Sequence, residues 1–153
     1  MLAAVHTAAA ETRREVFSSL PDEVDPARDY LFYMHGAWIE QHGLHRPHPR
    51  HGTYEYEAIV EALAGSGLIV ISEVRPQGVH PVEYAEQVAE QVRRLLAQGV
   101  PPERITVAGH SKGGHMAMLV ASELGEPRLN VVVMAGCGKP GTMFRKSYDR
   151  FLA

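Results

Sequence analysis

Four short apolar runs, rich in β-branched or aromatic residues, alternate along the chain with longer segments that have helical periodicity. The runs are Tyr30–Met34, Leu68–Val74, Ile105–Ala108 and Leu129–Ala135, and the helical segments are Tyr54–Ala64, Pro81–Gln98 and Lys112–Leu124. Parallel neighbouring strands need a crossover connection, which a helix of this length supplies. The alternation therefore predicts an α/β fold, with a parallel sheet flanked by helices.

The length of the chain favours a single domain. It has 153 residues, enough to bury a core of its own. We expect residues 1–27 to form a lead-in with one short helix, Ala8–Leu20, which Pro21 ends. Residues 28–136 form the predicted core, and residues 137–153 a C-terminal segment in which Thr142–Leu152 has a helical pattern.

Composition argues against several classes of protein. The net charge of -3 and the lack of a basic run disfavour nucleic-acid binding. No stretch approaches the ~18 apolar residues that a membrane span needs. Cys137 is the only cysteine, so no internal disulfide can form, and a cytoplasmic location is the default expectation. An exported mature form whose leader has been removed is the alternative.

One segment combines a buried strand, a tight turn and a helix, with a serine at the turn. The turn reads Gly109-His110-Ser111-Lys112-Gly113, and small flanking residues let a strand and a helix pass closely at such a turn. We predict that Ser111 is a nucleophile and that the backbone N–H of Lys112 is one oxyanion donor. The alternatives are a plain turn with Ser111 as helix N-cap, or a phosphate site, for which the glycine spacing is wrong.

A second element supports this interpretation. The strand Tyr30–Met34 runs into His35-Gly36, as happens where a serine hydrolase places its other oxyanion donor on the loop after an earlier strand. The predicted donor is the backbone N–H of Ala37 or Trp38. His35 is expected to brace this loop.

Together the two elements resemble the α/β-hydrolase superfamily, which includes esterases, lipases and peptidases. The resemblance covers residues 28–136. It implies that Tyr30–Met34, Leu68–Val74, Ile105–Ala108 and Leu129–Ala135 are the third, fourth, fifth and sixth strands of that fold, in the spatial order 4-3-5-6. Three shorter stretches, Tyr54-Glu55-Tyr56, Ile71–Arg75 and Ser111–Gly114, are similar to a small group of bacterial hydrolases, but they indicate no substrate.

The resemblance also implies a catalytic acid and a histidine downstream of the sixth strand. After that strand the sequence offers only Asp149 as a carboxylate, and no histidine follows His115. The acid and the general base are therefore unassigned, with His35, His110 and His115 as weak substitutes. We expect either a truncated hydrolase or a partner chain that completes the site, and an exposed edge at Leu129–Ala135 through which a homodimer could form.

A histidine-rich loop separates the oxyanion strand from the next helix. His42, His45, His48 and His51 recur at every third position. Imidazole is a common metal ligand, but the interleaved prolines prevent a helix that would align the rings. No metal is assigned, and the expected role is a surface loop at the mouth of the pocket.

Three further groups of residues are weaker candidates. Tyr54 and Tyr56, with Glu55 and Glu57, could line the pocket, although ordinary first-turn residues are the simpler interpretation. Glu73 and Arg75 follow a central strand and are either a functional pair or a structural salt bridge. Cys137 is expected to be a small buried residue.

These features predict a serine hydrolase that cleaves a small ester or acyl substrate through an acyl-enzyme on Ser111, without a cofactor. The first alternative is a non-catalytic hydrolase-like module that binds a ligand or partner, or an inactive fragment of a longer hydrolase. The second is a metal-dependent hydrolase that uses the His42–His51 loop.

Overall fold

The computed structural model describes residues 15–136 and shows alternating strands and helices. The strands are β1 (Val16–Phe17), β2 (Tyr30–Met34), β3 (Ile69–Ile71), β4 (Ile105–His110) and β5 (Asn130–Met134), and the helices are α1 (Ala37–His42), α2 (Tyr56–Gly65), α3 (Pro81–Ala97) and α4 (Lys112–Leu124). A short 3-10 turn, Pro102–Arg104, precedes β4. The predicted C-terminal helix Thr142–Leu152, Cys137 and Asp149 lie outside the described residues.

The five strands form one parallel sheet in the order β1-β3-β2-β4-β5. This confirms the α/β class and the predicted 4-3-5-6 order of the four longer strands. The strand β1 is an addition, since it lies outside β3 at one edge of the sheet.

The predicted helix Ala8–Leu20 is wrong over its described part, because residues 16 and 17 form β1. The amide of Val70 donates to the Glu15 carbonyl at 2.9 Å, and the amide of Ser72 donates to the Phe17 carbonyl at 2.8 Å. These bonds satisfy backbone groups of β3 that would otherwise face no neighbouring strand. A contact with a strand more than fifty residues away therefore overrides the local helical pattern.

The sheet separates two layers of core. Alternate residues of β2 point to opposite faces, as the pleat requires. Tyr30, Phe32 and Met34 pack with α3 and α4 on one face. Leu31 and Tyr33 pack with α1 and α2 on the other. All five β2 side chains are buried, so this strand is the centre of the molecule.

The carboxyl ends of β2 and β4 lie side by side. Their register pairs Met34 with Gly109, so the loop after β2 and the turn after β4 leave the sheet at neighbouring points. Ligand sites of parallel α/β sheets form outside these strand ends. The topology therefore brings the two predicted halves of the site together.

The strand β5 forms the other edge of the described sheet, where it pairs with β4. Val132 and Met134 are 44% and 39% exposed, so apolar side chains lie open on a strand whose outer edge has no partner strand among residues 15–136. Dimerisation through this edge stays a prediction. Within residues 15–136, no helix is long and apolar enough to cross a membrane.

Candidate active site

Ser111 occupies the turn between β4 and α4 in a conformation that L-residues rarely adopt. Its φ is 53° and its ψ is -116°, so the backbone is strained. The amide of Ser111 donates to the Met134 carbonyl at 2.8 Å, and its carbonyl accepts from the His115 amide at 3.1 Å. The side chain makes no capping hydrogen bond to α4, which disfavours the plain N-cap interpretation.

The glycines beside Ser111 are required by close backbone approach. A Cβ at Gly109 would overlap the carbonyl group of Gly113, and a Cβ at Gly113 would overlap the Met34 carbonyl. The start of α4 is therefore pressed directly against the ends of β4 and β2. Only glycine leaves room for this crossing, as a nucleophile elbow requires.

The loop after β2 approaches the same turn. A Cβ placed on Gly36 would lie 3.4 Å from the Ser111 Cβ and 3.1 Å from the His110 Nδ1. The helix α1 begins at Ala37 and α4 begins at Lys112. The first amides of a helix have no acceptor within it. The N-termini of α1 and α4 thus begin beside the Ser111 turn, and the assignment of their amides as oxyanion donors stays a prediction.

His35 braces this loop as a buried neutral imidazole. The Arg75 amide donates to His35 Nε2 at 3.0 Å, so Nδ1 carries the proton and donates to the Gly36 carbonyl at 2.8 Å. Burial, with the nearby Arg75 guanidinium, lowers the pKa of His35 to about 4. A ring held in this way is a structural support and not an available base.

This environment predicts an acid-sensitive fold. Because the folded state depresses the pKa of His35, its contribution to stability is complete above pH 6.5 and is lost as the pH falls towards 4. Between pH 7 and pH 5 we expect the free energy of unfolding to fall by roughly 2 kcal/mol from this group. The glutamine in His35→Gln cannot titrate, so the free energy of unfolding of this variant should fall by about 2 kcal/mol less over the same pH range. Urea titrations at pH 7 and pH 5 measure the difference. An equal decrease in both proteins would contradict the assignment, because every other histidine is common to them.

The side chain of Lys112 is bound to other groups and is not available as a base for Ser111. Its Nζ donates to Glu40 Oε1 at 2.5 Å and to the Val79 carbonyl at 2.8 Å. Glu40 Oε2 also accepts from Arg75 Nε at 3.4 Å. The predicted Glu73–Arg75 pair is therefore wrong, since the carboxylate that meets Arg75 comes from α1. Glu73 is partly exposed and lines a separate polar pocket beside α3.

A cleft of about 680 Å³ lies over the turn. Its walls come from the loop after β2, the histidine-rich loop, the turn after β4 and the end of β5. The lining residues are Gly36, Ala37, Trp38, Gln41, His48, His51, Gly52, Thr53, Tyr54, His110, Ser111 and Ala135. None of these described lining residues carries a carboxylate, an ammonium or a guanidinium group.

The two tyrosines before and at the start of α2 have different roles. Tyr54 lines the cleft, and its hydroxyl lies 2.5 Å from the Tyr33 hydroxyl. Burial and this hydrogen bond raise the pKa of Tyr54. Tyr56 is buried in the sheet-facing core, where its hydroxyl meets Ser72 Oγ at 2.8 Å. Only Tyr54 therefore fits the predicted lining role, and α2 begins at Tyr56, two residues later than predicted.

The rings of Trp38 and of the histidine-rich loop pack against one another beside the cleft. The ring centroids of Trp38 and His42 are 4.0 Å apart, those of Trp38 and His48 are 4.4 Å apart, and those of His48 and His51 are 4.6 Å apart. The Trp38 indole N–H donates to the Arg46 carbonyl at 2.8 Å. Within residues 15–136, no group of three or more metal-ligating side chains is arranged to hold an ion. The loop forms an aromatic wall.

The other two histidines near Ser111 differ in access to the cleft. His110 lines it, with its ring 5.6 Å from the Tyr54 ring, and its Nδ1 is buried without a hydrogen-bond partner. His115 is 1% exposed on the core side of α4, and burial lowers its pKa. Burial disfavours His115 as a proton acceptor for Ser111.

The comparison with protein families agrees with this geometry. A model of the class 3 lipase family matches residues 10–149, which is most of the chain. The chain belongs to the class 3 lipase family. This family lies within the α/β-hydrolase superfamily, so the predicted resemblance is confirmed, and membership supports a hydrolase of the lipase or esterase type. A search of curated proteins gives no significant match.

The sequence analysis does not identify every residue near the candidate site of this member of the class 3 lipase family. Glu40 lies in α1, an element that the periodicity did not predict, and its partner Lys112 is 72 residues away. The one available signal is a carboxylate that directly follows the apolar residues 37–39 after β2.

Proposed function

We propose that the protein is a serine hydrolase that cleaves small ester or acyl substrates through an acyl-enzyme on Ser111. The observation that carries the proposal is the strained backbone of Ser111, at a turn whose crossing only glycine permits. Strain of this kind persists only where the surrounding structure maintains it, and it is concentrated at functional sites. Membership of the class 3 lipase family agrees with this chemistry.

In the proposed reaction, Ser111 Oγ attacks the carbonyl carbon of the ester and forms a tetrahedral intermediate. The negative oxygen accepts hydrogen bonds from the backbone N–H of Lys112 and from that of Ala37 or Trp38. The C–O bond to the alcohol then breaks. The alcohol departs with the proton that the Ser111 hydroxyl gave up, and the acyl group stays on Ser111. Water releases this group as the acid. The residue that accepts the serine proton is not assigned among residues 15–136.

The lining of the cleft supports an uncharged substrate. A charged group would lose hydration there without meeting an opposite charge among the lining residues that the structure describes, which costs free energy. The rings of Trp38 and Tyr54 offer apolar surface for an acyl or alcohol group.

A fluorophosphonate probe tests the proposal directly, because it reacts covalently with activated serines. We expect one adduct per chain, and peptide mass spectrometry should place it on Ser111. Ser111→Ala should not be labelled. Ser66→Ala, which removes an exposed serine at the end of α2, should be labelled like the unmodified protein.

Two other outcomes would contradict the proposal. Absence of labelling in the intact protein would favour a non-catalytic ligand-binding module. Labelling that persists in Ser111→Ala would show that a different residue reacts. A chromogenic short-chain ester, assayed in parallel, should be hydrolysed by the same variants that the probe labels.

A further inference from the structure

Three charged side chains connect the residue after Ser111 to the loop that follows β2. Glu40 on α1 accepts from Lys112 Nζ through one carboxylate oxygen and from Arg75 Nε through the other. The side chains of Arg75, Glu40 and Lys112 are 0%, 4% and 18% exposed. These residues, here termed the ionic bridge, come from three separate segments of the chain.

We propose that the ionic bridge positions the two oxyanion donors relative to each other, an inference that rests on the proposed function. Lys112 belongs to the first turn of α4, and its own backbone N–H is one proposed donor. Glu40 belongs to α1, which begins with the other proposed donors, Ala37 and Trp38. A direct ion pair between the two helices therefore limits how far these amides can move apart.

Arg75 holds the loop after β2 through His35. Its amide donates to His35 Nε2 at 3.0 Å, and its guanidinium donates to the His35 carbonyl, directly before Gly36. Lys112 Nζ is held further by the Val79 carbonyl at 2.8 Å. Every anchor is a buried or half-buried group, so these contacts are shielded from competing water. Donors held in advance need no reorganisation when negative charge develops on the substrate.

The charge of the ionic bridge also fits this role. Within the ionic bridge one carboxylate serves two cations, and Arg75 Nη1 is buried without a hydrogen-bond partner. Buried ion pairs contribute little to stability, because desolvation offsets the attraction. A role in positioning the oxyanion donors, and not a gain in stability, is therefore what these buried charges suggest.

The test compares Lys112→Met with the unmodified protein. Methionine keeps the length of the side chain and the backbone N–H, but it removes the ion pair. We expect kcat for a short-chain ester, and the rate constant for fluorophosphonate labelling, to fall by about 10- to 100-fold. The KM should change less than about twofold, since substrate binding does not need the bridge. Lys112→Arg should recover most of the lost rate.

A matched control removes a cation that pairs with a carboxylate elsewhere. Arg93→Met breaks the exposed ion pair between α3 and α4, and it should leave kcat and labelling unchanged. If Lys112→Met does not fold, Lys112→Gln replaces it, since an amide can still donate to Glu40 but carries no charge. We expect Lys112→Gln to be slower than Lys112→Arg.

The outcomes separate this inference from the proposed function. If the unmodified protein is not labelled, the proposed function fails and the inference fails with it. If the unmodified protein is labelled and the folded Lys112 variant is labelled equally fast, the proposed function stands and the positioning role is refuted. A lower melting temperature with unchanged kcat would likewise show that the bridge is only structural.

Discussion

Ser111→Gly is expected to abolish ester hydrolysis and, at the same time, to make the fold more stable. Glycine adopts the φ of 53° at this turn without the steric cost that serine bears. Backbone strain of this type costs of order 1–3 kcal/mol, and part of the gain is lost to the greater freedom of glycine in the unfolded chain. We expect the free energy of unfolding to rise by about 1 kcal/mol, while kcat falls by about 10⁴-fold or more.

Ser111→Ala is the matched control for this prediction. It also removes the hydroxyl and should be equally inactive, but alanine keeps the strain, so its stability should stay within about 0.5 kcal/mol of the unmodified protein. Urea unfolding measures both variants. Equal stabilities for the alanine and glycine variants would contradict the claim that the backbone at Ser111 is strained. Residual hydrolysis in either variant would contradict the assignment of Ser111 as the nucleophile.

Gly113→Ala should have the opposite effect on stability. The added methyl group would overlap the Met34 carbonyl, and neither strand nor helix can move without breaking the core around β2. Overpacking a core costs typically 1–3 kcal/mol. Since rigid backbone is displaced here, we expect a loss of about 3 kcal/mol or more, or failure to fold. Circular dichroism and urea unfolding report the result.

Gly65→Ala provides the comparison for Gly113→Ala. Gly65 is the last residue of α2, and a Cβ there would meet no atom within 4 Å. Alanine at this position should be neutral or stabilising by up to about 1 kcal/mol. If the two substitutions have the same effect, the close approach at Gly113 is not a constraint on the fold.

Local patterns account for most of the fold that the sequence predicted. The helix α4 has the predicted bounds, and β2 coincides with the predicted run, because burial and periodicity there act over neighbouring residues. Other ends shifted by a few residues: the predicted strand Leu68–Val74 shortens to β3. The strand β1 is not predicted from the sequence because its stability comes from pairing with β3, and no local pattern encodes that pairing.

The same distinction applies to the candidate site. The turn around Ser111 and the loop at Gly36 are continuous in sequence, so their glycines could be recognised from spacing alone. The contact of Glu40 with Lys112 and Arg75 depends on how three segments meet in space. A sequence contains no spacing rule for such a meeting, and the partner of Arg75 was therefore assigned to the wrong carboxylate, Glu73.

The position of Trp38 has a practical consequence. It is the only tryptophan of the chain, and it lies in the wall of the cleft beside Ser111. When tryptophan is excited selectively, the fluorescence therefore comes from Trp38 alone, at the candidate site. The protein carries its own optical reporter, through which binding in the cleft can be followed without attaching a dye.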